Sequence, residues 1–282
     1  MDEWDAYFWP GSDVLKNIPG FRTQNELNRF DHAATRERSE ELDRQPVKGN
    51  FDTAHFREIH RHLFQDIFDW AGVFRKVDFS KGSSNFAPVR TPSHTLETWG
   101  QKILGDLAAE NHLKGLTTKD FVDRITYHFG EINFWHPMRD GNGRAAKTFL
   151  YQFSREAGYE LEFNRVSPKT WNEASERQMS GDGRMVHEVF IKITSPCRAL
   201  AFRDEHILDA VKRFPELEGA VNALYAAKRK AEAEFDVAGQ RQFMAAVHAK
   251  LLDRLRAGEI INARAVSAPT RDTRGDRTRG GR

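Results

Sequence analysis

"HPMRDGNGRAAKTF", residues 136–149, gathers a histidine, an acid, a glycine-flanked turn and two cations in one short stretch. Gly141, Asn142 and Gly143 permit positive φ angles, so successive backbone N–H groups can face one concavity. A helix starting near Arg144 adds its unpaired N–H groups and its dipole, which makes an anion site suited to a diphosphate. Arg144 and Lys147 are three residues apart on one helix face and can reach further phosphates. Asp140 stands just ahead of the turn, where a carboxylate can hold Mg²⁺ against phosphate oxygens. His136, with an ordinary pKa near ~6.5, suits a general base at neutral pH. These are the parts for attack of a hydroxyl on a nucleotide phosphate. Each feature alone has a plainer reading, since Gly-Asn-Gly is a common turn and early helical cations are usually solvated. The joint spacing favours the chemical reading. A P-loop does not fit, because "GRAAKT" lacks the glycine that must precede the lysine.

On both sides of this stretch the sequence reads as helix. "TTKDFVDRITYHFGEINFW" sets Phe121, Ile125, Phe129 and Ile132 on one face, with Thr117 and Asp120 at capping-box spacing. "RAAKTFLYQFSREAG" continues as a helix closed by Gly158. Upstream, "NFDTAHFREIHRHLFQDIFDW" repeats Phe56, Ile59, Leu63, Phe64, Ile67 and Phe68 at helical spacing, capped by Asp52 or Thr53. Its His55, His60 and His62 form no H-E-x-x-H arrangement and read as amphipathic or surface histidines. The period then changes. "VFRKVDFSKGSSNFAPV" alternates at Val73, Arg75, Val77 and Phe79, which predicts a short β-hairpin, with Pro88 confining the second strand to an edge. Trp70 and Phe74 beside it read as core. His128 and Glu131, one turn before the signature, read as support behind it at best. Residues 23–43 read as a charged helix, and "YFWPGSDVLKNIPGF" as an ordered aromatic arm. Residues 168–197 hold one or two more helices, and amphipathic helices follow from about 205.

The chain has 282 residues, 39% of them hydrophobic, which is ample for a core. Its 43 basic and 41 acidic residues leave +2, less basic than a nucleic-acid-binding protein usually is, so no nucleic-acid partner is expected. Cys197 is the single cysteine, so no intrachain disulfide forms and a reducing cytoplasm fits. It reads as a small buried hydrophobe. No signal peptide and no membrane span are expected. Residues 265–282 read as a disordered basic tail, with no apolar content to bury and net +3 from Ser267 to Arg282, dispensable for catalysis.

The stretch closely resembles the signature of the Fic family, His-x-Phe-x-Asp/Glu-Gly-Asn-Gly-Arg-x-x-Arg, at His136, Asp140, Gly141, Asn142, Gly143 and Arg144. "HRHLFQDIFDWAGVFRKVDFSKG" resembles the family's preceding helix and hairpin flap, and "YFWPGSDVLKN" resembles the start of bacterial Fic toxins. The resemblance covers residues 5–200. It implies a mainly α fold, a helical core with a short β-hairpin flap within residues 1–200; composition adds a helical extension over 205–262 and the tail over 265–282. It also implies transfer of AMP from ATP to a protein hydroxyl, with His136 as base and Asp140 on Mg²⁺. Gly141, Asn142, Gly143, Arg144 and Lys147 would hold phosphates. The flap, through Lys81, Gly82 and Phe86, would dock the target by strand addition. Transfer of another nucleotide or phosphate-containing group, and a degenerate fold that only binds, stand as alternatives. Met138 replaces the usual phenylalanine, and Lys147 replaces the second arginine. The self-inhibitory pattern Ser/Thr-x-x-x-Glu-Gly/Asn is approached only at Ser93–Thr98, which ends in threonine. The resemblance therefore implies control by a separate small antitoxin carrying an inhibitory glutamate. It suggests type II topoisomerase subunits as first target candidates, and a cytoplasmic toxin with translocation into another cell as the tail's alternative role.

Overall fold

Thr23 ends the aromatic arm and accepts the Glu26 N–H at the start of helix α1, Gln24–Arg44. Asp52 does the same for His55 N–H at the head of α2, Thr53–Phe64. The computed structural model describes residues 3–82 and 84–262. After α2 comes a hairpin of two antiparallel strands, β1 (Ser80–Lys81) and β2 (Ser84–Asn85). Then follow α3 (Leu96–Ala109), α4 (Thr118–Trp135), α5 (Asn142–Glu156), β3 (Tyr159–Leu161), α6 (Pro168–Met179), α7 (Arg184–Ile193) and β4 (Thr194–Pro196), which pairs with β3. The helices α8 (Cys197–Asp204), α9 (Ile207–Arg213), α10 (Glu218–Glu234) and α11 (Val237–Arg256) complete the described chain. The expectation of a mainly α fold with a small hairpin agrees with this order. The expected disordered tail at 265–282 lies outside the described residues.

The chain divides into two compact units, one ending at Cys197 and one beginning at Arg198. In the first, the apolar stripe of α2 is fully buried through Phe56, Ile59, Leu63 and Phe64, and α4 and α5 close over it with Phe121, Ile125, Phe149 and Phe153. The N-terminal arm joins this core through Val14 and Trp9. Met138 is fully buried in the same core, in keeping with an adaptable side chain filling a phenylalanine-sized space. In the second unit Leu217, Ala220, Leu251 and Leu255 pack a smaller core of their own.

Three expectations need correction. The hairpin ladder covers only two residues per strand, far less than the alternating pattern implied. The flanking N–H groups are spent elsewhere: Arg75 donates to Pro137 C=O, Ala87 to Phe134 C=O and Val89 to the Asp78 carboxylate, so no ladder can extend. His55 and His60 are buried instead of lying on the surface. Cys197 is only half-buried. Ser93–Thr98, which approached the inhibitory pattern, forms the N-cap of α3, where Thr95 and Thr98 close a capping box.

Candidate active site

The chain between α4 and α5 turns through His136, a non-glycine residue with φ +42°, and again through Gly141 at φ +78°. The Asn142 side chain clasps this turn. Its Oδ1 accepts the Met138 N–H and its Nδ2 donates to Met138 C=O, both at 2.8 Å. Helix α5 thus begins at Asn142, two residues before the position read from sequence. Arg144 and Ala145 donate to Gly141 C=O. The N–H groups of Asn142 and Gly143 have no acceptor among the described residues, and they head a fifteen-residue helix. Of Gly141, Asn142 and Gly143, all read as permitting positive φ, only Gly141 adopts it. The amide of Asn142 shapes the loop, which leaves its backbone N–H for a ligand.

The turn opens on a cleft of about 660 Å³. His136, Asp140, Gly141, Asn142, Gly143, Arg144, Lys147, Lys81, Gly82 and Phe86 all line it. His128 and Glu131 do not; His128 is buried against Glu110 instead. The cleft also takes Trp171, Asn172 and Ser175 from α6, which the sequence reading left without a role. Lys147 lies with its ammonium 4.7 Å from the Trp171 ring centre and 5.5 Å from that of Phe163, and burial lowers its pKa. It has no carboxylate partner among the described residues.

The His136 ring is stacked beneath Phe86 of the flap, with centroids 3.6 Å apart and planes 14° from parallel, and Phe79 meets it edge-on. This apolar enclosure pushes its pKa down to about 3, with smaller contributions from the charges of Arg75 and Lys81. Nδ1 lies 3.3 Å from Asn133 C=O. A carbonyl only accepts, so Nδ1 carries the hydrogen and Nε2 keeps its lone pair. The ring is therefore neutral, and competent as a base, throughout the neutral range. Its folded pKa lies below the ordinary value, so acidification through pH ~6.5 toward 3 favours the unfolded chain, where the ring protonates freely. In an NMR titration the His136 ring signals should stay fixed between pH 8 and 5. A midpoint near ~6.5 would show that the ring is open to water.

Two buried residues missed in the sequence hold this arrangement. His60 accepts the Gly72 N–H at Nδ1 and donates from Nε2 to Asp140 C=O, each at 2.9 Å. Burial lowers its pKa to about 4, so it stays a neutral linker. Arg75 has a side-chain exposure of 0% and donates to His136 C=O, Val77 C=O and Ala87 C=O, with Asp78 at 3.4 Å. Burying a guanidinium costs several kcal/mol, but each charged hydrogen bond returns about 1.5–3 kcal/mol. Three carbonyls are enough to hold it. The flap root and the signature turn are thereby fastened together. The signal for Arg75 was present, as a cation inside an apolar alternation.

The Fic/DOC family profile matches residues 50–154, from the loop before α2 to within α5. A probable protein adenylyltransferase Fic of Escherichia coli K12 is 35% identical over 192 residues, covering 68% of this chain and 92% of the relative. The chain belongs to the Fic/DOC family. Protein adenylyltransferase VbhT of Bartonella schoenbuchensis is 37% identical over 182 residues. The match takes in 64% of this Fic/DOC chain and spans 37% of that longer relative. Among solved structures, the BepC effector of Bartonella tribocorum with bound AMPPNP superposes at a TM-score of 0.60 and 25% identity, covering 68% of this chain and 97% of that one. The N-terminal Fic domain of a Bartonella quintana effector with bound ADP gives 0.60 and 28%, over 69% and 97%.

Proposed function

We propose that this Fic/DOC chain transfers AMP from ATP to a hydroxyl side chain of a target protein. The observation that carries the reading is the placement of a neutral His136, its Nε2 unprotonated, in one cleft with the open N–H groups of Asn142 and Gly143. As the target hydroxyl attacks the α-phosphorus, Nε2 takes its proton. An oxygen–phosphorus bond forms, the bond to the bridging oxygen breaks, and pyrophosphate leaves. The α5 N-terminus and Arg144 hold the phosphates in line for that attack. Phe86 and Phe79 exclude water from the base.

Asp140 is exposed at the mouth of the turn, and no cluster of three metal-binding side chains occurs among the described residues. That donor set fits Mg²⁺, which typically takes one or two carboxylates together with substrate phosphates. Asp140 would hold the ion, and the ion would neutralise phosphate charge. The exposed edge at Lys81 and Gly82 suits docking of an extended target segment by strand addition. Type II topoisomerase subunits are the first candidates for that target. Control by a small antitoxin is supported by Lys147, which lacks a carboxylate partner among the described residues and so leaves a place for an incoming glutamate.

Incubation with a lysate, Mg²⁺ and ATP labelled separately on the α- and γ-phosphates tests the reaction. Retained α-label without γ-label supports AMP transfer. Retained γ-label means transfer of a terminal phosphate, and no label means a binding module.

Lys147 offers a single point charge where an arginine would offer a planar fork able to hold two phosphate oxygens. Lys147→Arg should therefore raise the transfer rate by about 2–10-fold at saturating Mg²⁺-ATP, the scale of one improved charged hydrogen bond. An equal or slower variant would show that the lysine is adapted to its aromatic seat.

A further inference from the structure

Arg144 does not reach the cleft unsupported. Its Nη1 donates to Asp31 Oδ1 at 2.5 Å and to Thr35 Oγ1 at 3.3 Å, both on α1. Its guanidinium carbon lies 4.5 Å from the ring centre of Phe64, on α2. The Asp31 side chain is 14% exposed, and Thr35 is buried and anchored by its own bond to Asp31 C=O at 2.6 Å. One face of the guanidinium and one of its terminal nitrogens are thus occupied. Nε and Nη2, the side-on edge of the fork, make no hydrogen bond among the described residues. That edge is the one that grips two phosphate oxygens at once.

We infer that Asp31 and Thr35 are positioning residues, which hold Arg144 so that its Nε–Nη2 edge faces the β-phosphate of a bound nucleotide. The inference rests on the adenylyltransferase reading for the nucleotide, and on the three-sided seat for the geometry. An arginine side chain has four rotatable bonds and loses much rotamer freedom when it grips a ligand. Here that freedom is already lost in the free protein, so the grip costs less on binding. Asp31 and Thr35 lie outside residues 50–154, so the part of the chain that carries the family match does not contain the whole clamp.

Asp31 also places a negative charge near the phosphates, and that effect has the opposite sign. Removing the charge alone would tighten polyphosphate binding, whereas losing the anchor weakens it. ADP and AMP separate the two, because AMP has no β-phosphate for Arg144 to hold. The experiment measures both affinities by calorimetry, in one magnesium buffer, for the wild type, Asp31→Ala and Asp31→Asn. Asp31→Ala should weaken ADP about tenfold and move AMP by less than about twofold, and Asp31→Asn, which keeps an acceptor oxygen, should fall between. Thr35→Val, which keeps the shape of the side chain, should weaken ADP by a smaller factor with AMP unmoved.

Equal weakening of ADP and AMP would mark a general disturbance of the fold and overturn the positioning role. So would unchanged or tighter ADP binding, the latter making Asp31 a competitor of the phosphate. A wild-type protein that binds ADP while the Asp31 variants match it defeats this inference alone. A wild type that binds neither nucleotide defeats the adenylyltransferase reading, and the positioning role with it.

Discussion

His136→Ala lowers AMP transfer by about 10²–10⁴-fold or more and leaves ADP affinity within about twofold. The ring lines the cleft beside the turn and stacks under Phe86 of the flap, and burial holds its pKa low, so its Nε2 carries no proton at neutral pH. In the proposed reaction the phosphate grip comes from the α5 N-terminus and Arg144, which the substitution does not touch. Phe86 loses its stacking partner, so a small loss of target affinity is also expected. Rates at saturating ATP, with an unchanged far-UV spectrum, check the result. Transfer at the wild-type rate would remove His136 as the base.

Gly141→Ala should be the most damaging change that adds a single methyl group. A Cβ at this position would meet the Phe64 ring at 2.3 Å, and Phe64 is fully buried with no room to retreat. The backbone stands at φ +78°, which costs an alanine about 1–2 kcal/mol. Overpacking adds roughly 1–3 kcal/mol. The expected loss is therefore about 2–5 kcal/mol of folding stability, read from the denaturant midpoint. ADP binding should fall as well, because the displaced turn re-aims the N–H groups of Asn142 and Gly143. Stability within ~0.5 kcal/mol of wild type would show that the turn relaxes freely and that the close packing on Phe64 is dispensable.

The helices were legible because their apolar faces and caps are local properties. Asp52 and Thr117 announce two of them at the residue before each start. The turn at Gly141 was legible for the same reason, being written in consecutive residues. The hairpin was over-read. Alternation at Val73, Arg75, Val77 and Phe79 describes which side each residue faces, but it carries no information on where the N–H groups find acceptors. Two of those acceptors come from α4 and the loop after it, and the third is the Asp78 carboxylate just ahead of β1. His60 escaped notice because a histidine on an amphipathic stripe looks the same whether it meets water or a buried carbonyl. Asp31 escaped for a stronger reason: nothing within α1 hints at an arginine 113 residues later.

That separation bears on how the protein comes to life. The ties that organise the cleft join residues 31 and 144, 60 and 140, and 75 and 136, at separations of 113, 80 and 61 residues. Closing loops of that length is entropically uphill until the core rewards it, which slows assembly relative to the helices themselves. A growing polypeptide that has emerged only through the flap has neither base nor phosphate grip, and one that stops before α6 lacks a wall of the cleft. Under the proposed function, nucleotide binding would therefore report completed folding of the first unit. Adding ADP to a refolding chain should accelerate none of the early steps, yet should trap the finished state by mass action.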